Sequence, residues 1–347
     1  MGPRSMEFRK IQTTGGSSYA ITLPKQWISS AGLQPGDVVA CNVLPDGRLV
    51  IQAGSSSEKA ARTCEVLAGR KKGEQVFRSV VAAYLMGFDV IRIRGSPTLS
   101  PEVRRAVEEA ARRVIGLEVV DEDPGHIVLQ DFLDPTEFHI ARALRRMQGL
   151  TRAMHEEAAG ATPSRDEALL QAVVAGDDEV DRLYWMINKQ YHALLQDAGL
   201  GEKMGLTPAE GLNFLLVARL VERTADHAAR IARQVLALGE ARVPPRILEA
   251  VSDQHRLALA LFQRAIAAFF AKDAEASHGL IDEAEAFQGA QERILSDLLT
   301  VKGERLVHLA YVLESVGRTA AYAADVAEVT LNYGAGTAPA KPSGNHL

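Results

Sequence analysis

The chain has 347 residues, a formal net charge of −5 and a pI near 6.0. That length allows two or three domains with separate cores, and the mild acidity excludes a molecule dominated by a basic field. Two cysteines, Cys41 and Cys64, are too few for a disulfide framework or a thiolate metal cage and fit a reducing, cytoplasmic setting. No apolar run reaches the roughly eighteen residues a membrane span needs, and no secretory leader is recognisable. Residues 1–5, MGPRS, precede a second methionine and are set aside as an expression scar.

Residues 6–53 read as a small β unit. A strand is expected over Phe8–Gln12, a turn at Gly15–Ser18, and a half-buried strand through Tyr19, Ile21 and Leu23. Pro24 opens a short helix that Gly32 stops. A second hairpin follows, with Val39, Cys41 and Val43 opposite Leu49 and Ile51 and a tip at Pro45-Asp46-Gly47. So few residues bury too little apolar surface to fold alone, so a partner chain is expected. The stretches GGSSYAITLPKQW at 15–27 and LQPGDVVACNVLPDGRLVI at 33–51 resemble the AbrB family of swapped-hairpin proteins. The resemblance implies an intertwined β-barrel homodimer that binds DNA, with Arg9, Lys10, Ser17, Ser18 and Lys25 as the DNA-facing residues. Thr13 and Thr14 stand where many relatives carry a base. Four basic residues (Arg9, Lys10, Lys25, Arg48) meet three acidic ones (Glu7, Asp37, Asp46) in this unit, so a dimerisation module without DNA is the competing reading.

Ser55-Ser56-Ser57 marks a linker into a small α/β domain over 54–133. Strands are expected at Thr63–Leu67, Asp89–Ile93, Leu117–Val120 and Ile127–Leu129, with helices at Glu74–Met86 and Pro101–Ile115, in the order βαβαββ. The basic loop Gly69–Gly73 before the first helix is either a solvated turn or an anion site at the helix N-terminus.

From 134 to 333 the pattern is helical. Six helices are expected near 136–159, 164–198, 207–239, 245–271, 273–300 and 303–332, and 334–347 reads as a disordered Gly/Ala/Pro-rich tail. The third helix has a packing seam of Phe214, Val217, Val221, Thr224, Ala228, Ile231, Val235 and Leu238. Val217, Val221, Thr224, Ala228 and Ile231 recur as Val312, Val316, Thr319, Ala323 and Val326, an offset of 95. The second and fifth helices match at an offset of 107. The chain therefore carries two copies of a three-helix unit, 134–240 and 241–333. Two acidic pairs lie off the seams, each one helical turn apart: Asp177 with Asp181, and Glu222 with Asp226. Either Arg219, Arg223 and Arg230 solvate the second pair on an outer face, or antiparallel neighbours unite the four carboxylates around a hard, oxygen-ligated metal. The second copy has Ala284, Gln288, Gly317 and Ala321 at the matching places, so the acidic positions are lost while the seam is kept.

ERTADHAARIA at 222–232, DDEVDRLYW at 177–185 and the doubled three-helix bundle resemble the PhoU family. The resemblance implies a regulator of phosphate uptake that binds Fe, Mn, Mg, Zn or Ca through Asp177, Asp181, Glu222 and Asp226. A β unit of the AbrB type ahead of such a bundle is an arrangement associated with archaeal phosphate-uptake regulators. The expected fold is thus multidomain: a swapped-hairpin β-barrel dimer, a small α/β domain, and an all-α double three-helix bundle. The expected function is a cytoplasmic, dimeric regulator that binds the operator DNA of phosphate-uptake genes. Alternatives are an adaptor that controls phosphate-transporter components without DNA, and a metal-dependent phosphohydrolase. No nucleophile–base pair and no nucleotide loop occurs, so an enzyme is not expected.

Overall fold

The computed structural model describes residues 7–43, 47–53, 61–134, 137, 139–239 and 242–337. The leading scar, the Pro45-Asp46 hairpin tip, the serine linker and the 338–347 part of the tail lie outside them. Two compact units divide the chain at Ala61.

The first unit holds two separate antiparallel hairpins. Strand β1 (Gln12–Thr14) pairs with β2 (Ser18–Ala20), and β3 (Val39–Val43) pairs with β4 (Leu49–Ala53). The first strand starts four residues later than Phe8, so Phe8 lies outside the ladder. Helix α1 (Lys25–Ser30) follows Pro24 at its N-cap, and Gly32 turns the chain away with φ of +67°. Among the described residues of this unit none is buried; Phe8, Ile11, Tyr19 and Val38 are 71–89% exposed.

The second unit begins with a four-stranded sheet in the order β5-β6-β8-β7. Its strands are β5 (Thr63–Leu67), β6 (Val90–Arg94), β7 (Leu117–Glu122) and β8 (His126–Asp131). β5 and β6 are parallel across helix α2 (Gly73–Leu85). β8 runs antiparallel to both β6 and β7, so helix α3 (Pro101–Arg113) carries the chain over β8. Val66, Ile91, Ile93, Leu117, Ile127 and Leu129 bury one sheet face against Val76, Val80, Tyr84, Val103 and Val107 of the two helices. The N-terminus of α2 is not an open anion site. The Glu102 carboxylate of α3 accepts the Gly73 N–H at 2.8 Å and already supplies the negative charge that end of a helix favours.

The helices that follow are α4 (Ile140–Ser164), α5 (Glu167–Gln196), α6 (Ala198–Met204), α7 (Pro208–Ala237), α8 (Pro245–Ala271), α9 (Ala274–Leu298) and α10 (Glu304–Thr337). Within the first repeat α4, α5 and α7 pack on one another; within the second, α8, α9 and α10 do. The repeats meet through α7 on α10 and α4 on α8, over one continuous core. Side-chain caps start the helices: Asp166 accepts from Leu169 N–H, Thr207 and Glu210 form a capping box, and Asp273 accepts from Ala276 N–H.

Three boundaries differ from the sequence expectation. The segment between α5 and α7 forms the extra helix α6, closed by Gly205 at φ of +62°. The last helix runs to Thr337, into the stretch read as tail. α4 passes through Pro163 instead of stopping at it. A proline offers no N–H to the carbonyl four residues back. Here that carbonyl, of Ala159, accepts the Ser252 hydroxyl of α8 at 2.7 Å, so the second repeat supplies the donor the proline lacks.

A second polar link between the repeats is fully buried. His155 of α4 places Nε2 at 2.8 Å from the Thr224 carbonyl of α7 and Nδ1 at 2.6 Å from Nε2 of His255 on α8. A carbonyl only accepts, so His155 Nε2 carries the proton, and its bare Nδ1 accepts from His255 Nε2–H. Protonating His155 would set two donors against each other. Burial pushes His155 down to about 4 and His255 well below the ordinary histidine value, with the neighbouring His155 and Arg256 adding to the latter. Between about pH 6.5 and 4 the unfolded chain therefore binds protons that the folded one refuses, and stability falls as pH falls through that window. Urea midpoints at pH 7.5 and 5 should show a steeper loss in wild type than in His255→Gln, whose amide still donates to His155. Equal losses would dismiss the pair as the cause.

Candidate metal centre

Helices α5 and α7 lie side by side, which follows from their facing seams: Val173, Val180, Leu183 and Ile187 on one, Val217, Val221 and Ala228 on the other. That contact brings Asp177 and Asp181 of α5 alongside Glu222 and Asp226 of α7. Each carboxylate lies in the field of others in the set. Burial, then Asp226, then Asp181 push the Asp177 carboxyl up to about 7, against Arg233. Burial and Asp226 push Asp181 up to about 6, against Arg113. Burial pushes Glu222 up to about 7, opposed by Arg219 and reinforced by Asp226 and Asp181. Asp226 is also raised by burial, against Arg219, Arg223 and Arg233.

The placement corrects the reading of an outer face. Glu222 is 9% exposed, and the Asp177 and Asp181 side chains are 16% and 24% exposed; Asp226 alone reaches solvent freely. The sequence marks one apolar stripe per helix, but α7 packs against α4, α5 and α10 at once, so a second face is covered. Of the expected arginines, Arg219 and Arg223 act on this set and Arg230 does not, while Arg233 and Arg113 join it. Arg219 donates to Glu222 Oε1 at 2.8 Å. Arg233 approaches Asp177 Oδ2 at 3.8 Å, and Arg113 of α3 approaches Asp181 Oδ2 at 3.5 Å and bonds Asp178. Arg230 turns away to Glu314 at 3.2 Å and stacks over Tyr311. Nothing in the local sequence marks Arg113 or Arg233 as neighbours of this cluster; the first comes from a different layer of the fold.

The donor set fits a hard cation. Two carboxylate oxygens, Asp177 Oδ1 and Glu222 Oε2, are buried with no hydrogen-bond partner. An uncompensated buried oxygen of this kind is costly; a proton, which the raised pKa of both groups favours, or an oxygen-ligated metal would relieve it. As the side chains stand, no three acidic, histidine or cysteine groups among the described residues converge at ligating distance, so an ion would draw the carboxylates inward. Asp177, Asp181, Glu222 and Asp226 would hold it. The second repeat lacks the same chemistry. Ala284 is buried there, and the Gln291 side chain, donating to the Leu313 carbonyl, lies against Gly317 so closely that a Cβ would stand 2.6 Å from its Oε1.

The proposed DNA-facing residues lie in the first unit. Arg9 and Lys10 precede β1, Ser17 closes the β1–β2 turn, Ser18 opens β2 and Lys25 opens α1; all five are exposed. Arg9 forms an ion pair with Glu7, which reduces the charge it offers.

No helix among the described residues is long and apolar enough to cross a membrane. The PhoU domain family model matches residues 144–235, which spans α4 to α7 and all four carboxylates and ends before the second repeat. The model for the MazE bacterial antitoxin, an antidote for toxin recognition, matches residues 12–59. Two curated proteins named phosphate-specific transport system accessory protein PhoU homolog, from Caulobacter vibrioides strains NA1000 / CB15N and CB 15, are each 24% identical over 197 residues, covering 55% of this chain and 84% of theirs. Crystal structures of PhoU from Pseudomonas aeruginosa and of the phosphate transport system regulatory protein PhoU from Streptococcus pneumoniae overlay with TM-scores of 0.49 at 21% and 16% identity. Each covers 57% of this chain, and 96% and 94% of its own. The chain is thus similar to PhoU proteins over residues 144–235 of its helical part, and to MazE antitoxins over residues 12–59.

Proposed function

We propose that the protein is a cytoplasmic regulator of phosphate uptake, not an enzyme, that binds DNA as a dimer through its first unit and senses metal, phosphate status or a partner through its helical bundle. The observation that carries this reading is the pairing of a PhoU domain with a MazE/AbrB-like domain whose described residues bury nothing by themselves. Two copies of that unit would cover each other's Phe8, Ile11, Tyr19 and Val38 and set two basic edges side by side. The curated relatives are named as accessory to phosphate-specific transport, and the same process is proposed here. The Arg9–Glu7 pair and the near-neutral balance of the unit favour, as a second reading, an adaptor that dimerises there and acts on transporter components without DNA.

Fluorescence anisotropy with the DNA upstream of the protein's own gene, at several salt concentrations, separates the two. Arg9 and Lys10 would contact phosphates, so changing both to alanine should weaken all DNA sequences alike. The slope of log affinity against log salt should fall by roughly 1.8 per copy of the unit, or about 0.9 for each lost phosphate contact. No binding at low salt, or binding unaffected by the double change, would dismiss this DNA face.

A further inference from the structure

The α/β layer is docked on α5 along a single stripe. Asp178, Asp181, Trp185 and Lys189 follow one another at steps of three and four, so they share one face of the helix. Each meets a residue of the α/β layer. Lys189 pairs with Asp131 at the end of β8, Trp185 meets the Phe77 ring edge-on at 6.2 Å, and Arg113 at the last turn of α3 reaches Asp178 and Asp181. The Arg113 guanidinium also lies 5.6 Å from the Trp185 ring and 5.8 Å from the Phe77 ring, and its buried Nε has no partner. Asp181 is therefore shared between the Arg113 clamp and the acidic set with Asp177, Glu222 and Asp226. Of the arginines near that set, Arg219, Arg223 and Arg233 belong to α7 itself; Arg113 comes from the α/β layer.

We propose that Arg113 is a tethered counter-ion that competes with a metal ion for Asp181, so that metal binding in the bundle and docking of the α/β layer onto α5 oppose each other. The proposal rests on the reading of the four carboxylates as a metal site. A cation on Asp181 neutralises the charge that Arg113 now neutralises and repels the guanidinium at close range. Asp178 keeps its direct bond to Arg113, but that side chain is 66% exposed and the bond is solvated. Linkage makes the effect mutual: whatever factor Arg113 costs the metal, the metal costs the docking.

The test is a calorimetric titration of the full-length, metal-stripped chain with Mn²⁺. Arg113→Gln should bind Mn²⁺ about tenfold more tightly than wild type, a factor ordinary for coupled sites. Arg113→Lys, which keeps the charge, should stay nearer wild type. Arg112→Gln removes a charge from the same helix at a side chain 76% exposed and paired to Glu109, and should leave the affinity unchanged. A second readout is taken on wild type: Mn²⁺ should speed amide hydrogen exchange in the last turn of α3, and in Asp181→Ala plus Asp226→Ala it should not. Equal or weaker Mn²⁺ binding by Arg113→Gln, or equal tightening by Arg112→Gln, overturns the competition and leaves the metal site standing. No Mn²⁺ binding by wild type or by Arg113→Gln overturns the site and the competition together.

Discussion

Changing Asp181 and Asp226 together to alanine should abolish bound metal while leaving the helices intact. The two residues come one from each helix, so the double change halves the donor set and leaves no pair complete. A hard divalent ion must replace its hydration shell with oxygen donors, and the two remaining carboxylates cannot hold it against solvent. The metal-free variant should be at least as stable as metal-free wild type. Asp181 titrates near 6 and Asp226 above its ordinary value, so both are easier to ionise unfolded than folded. Above those values their ionisation lowers stability, and removing it should return about 1 kcal/mol at pH 8, after discounting for screening at the exposed Asp226. Alanine is also the strongest helix former available at both places. Metal should reverse the order. Wild type in metal at a hundred times its dissociation constant should gain about 2.7 kcal/mol, and the variant nothing. Elemental analysis and thermal unfolding with and without metal check both statements. Equal metal content, or equal stabilisation, would remove these carboxylates from any metal site.

The bundle was legible because its signal is periodic. The α7 seam, read as Phe214 through Leu238, is buried at every position, and the matching α10 residues Val312, Val316, Thr319, Ala323 and Val326 are buried too. Strand β5 falls on Thr63–Leu67, the bounds expected from the sequence. What escaped is what periodicity does not encode. A lone histidine on an apolar face carries no mark of its partner, so His155 and His255, 100 residues apart, were invisible until α4 and α8 were placed together. Pro163 signals a stop wherever no outside donor is known, and Ser252 is such a donor, 93 residues from the Ala159 carbonyl it bonds. Glu222 looked solvent-facing because a single stripe explains a surface helix, whereas α7 is covered on several sides. Arg113 belongs to a different layer, and only the docking of α3 against α5 brings it to Asp181. In each case the deciding group arrives from elsewhere in the chain, where a local pattern has no signal.

Lys189→Met should destabilise the second unit by about 3–5 kcal/mol, because it leaves the Asp131 carboxylate buried without a counter-charge. The pair is well enclosed: the Lys189 and Asp131 side chains are 7% and 6% exposed, and the ammonium lies 4.5 Å from the Tyr84 ring. Burial pushes the Lys189 ammonium down to about 8 although Asp89 pulls the other way, so desolvation outweighs the attraction it receives. Such a pair is dear to break and of little net worth when intact. Lys189→Met with Asp131→Asn should therefore recover most of the loss, since the asparagine carbonyl can still accept the Leu133 N–H that Asp131 Oδ1 takes at 3.1 Å. Asp131→Asn alone should cost less than Lys189→Met alone. An ammonium already poised near 8 sheds its proton close to neutral pH, and an unfolded lysine holds it to about 10.5, so the stability of that single variant should rise as pH goes from 7 to 9. Urea unfolding of the four proteins at both pH values gives the full cycle. A Lys189→Met protein as stable as wild type would mean that Asp131 is solvated, and that the α/β layer is held on α5 by Phe77, Trp185 and Arg113 without it.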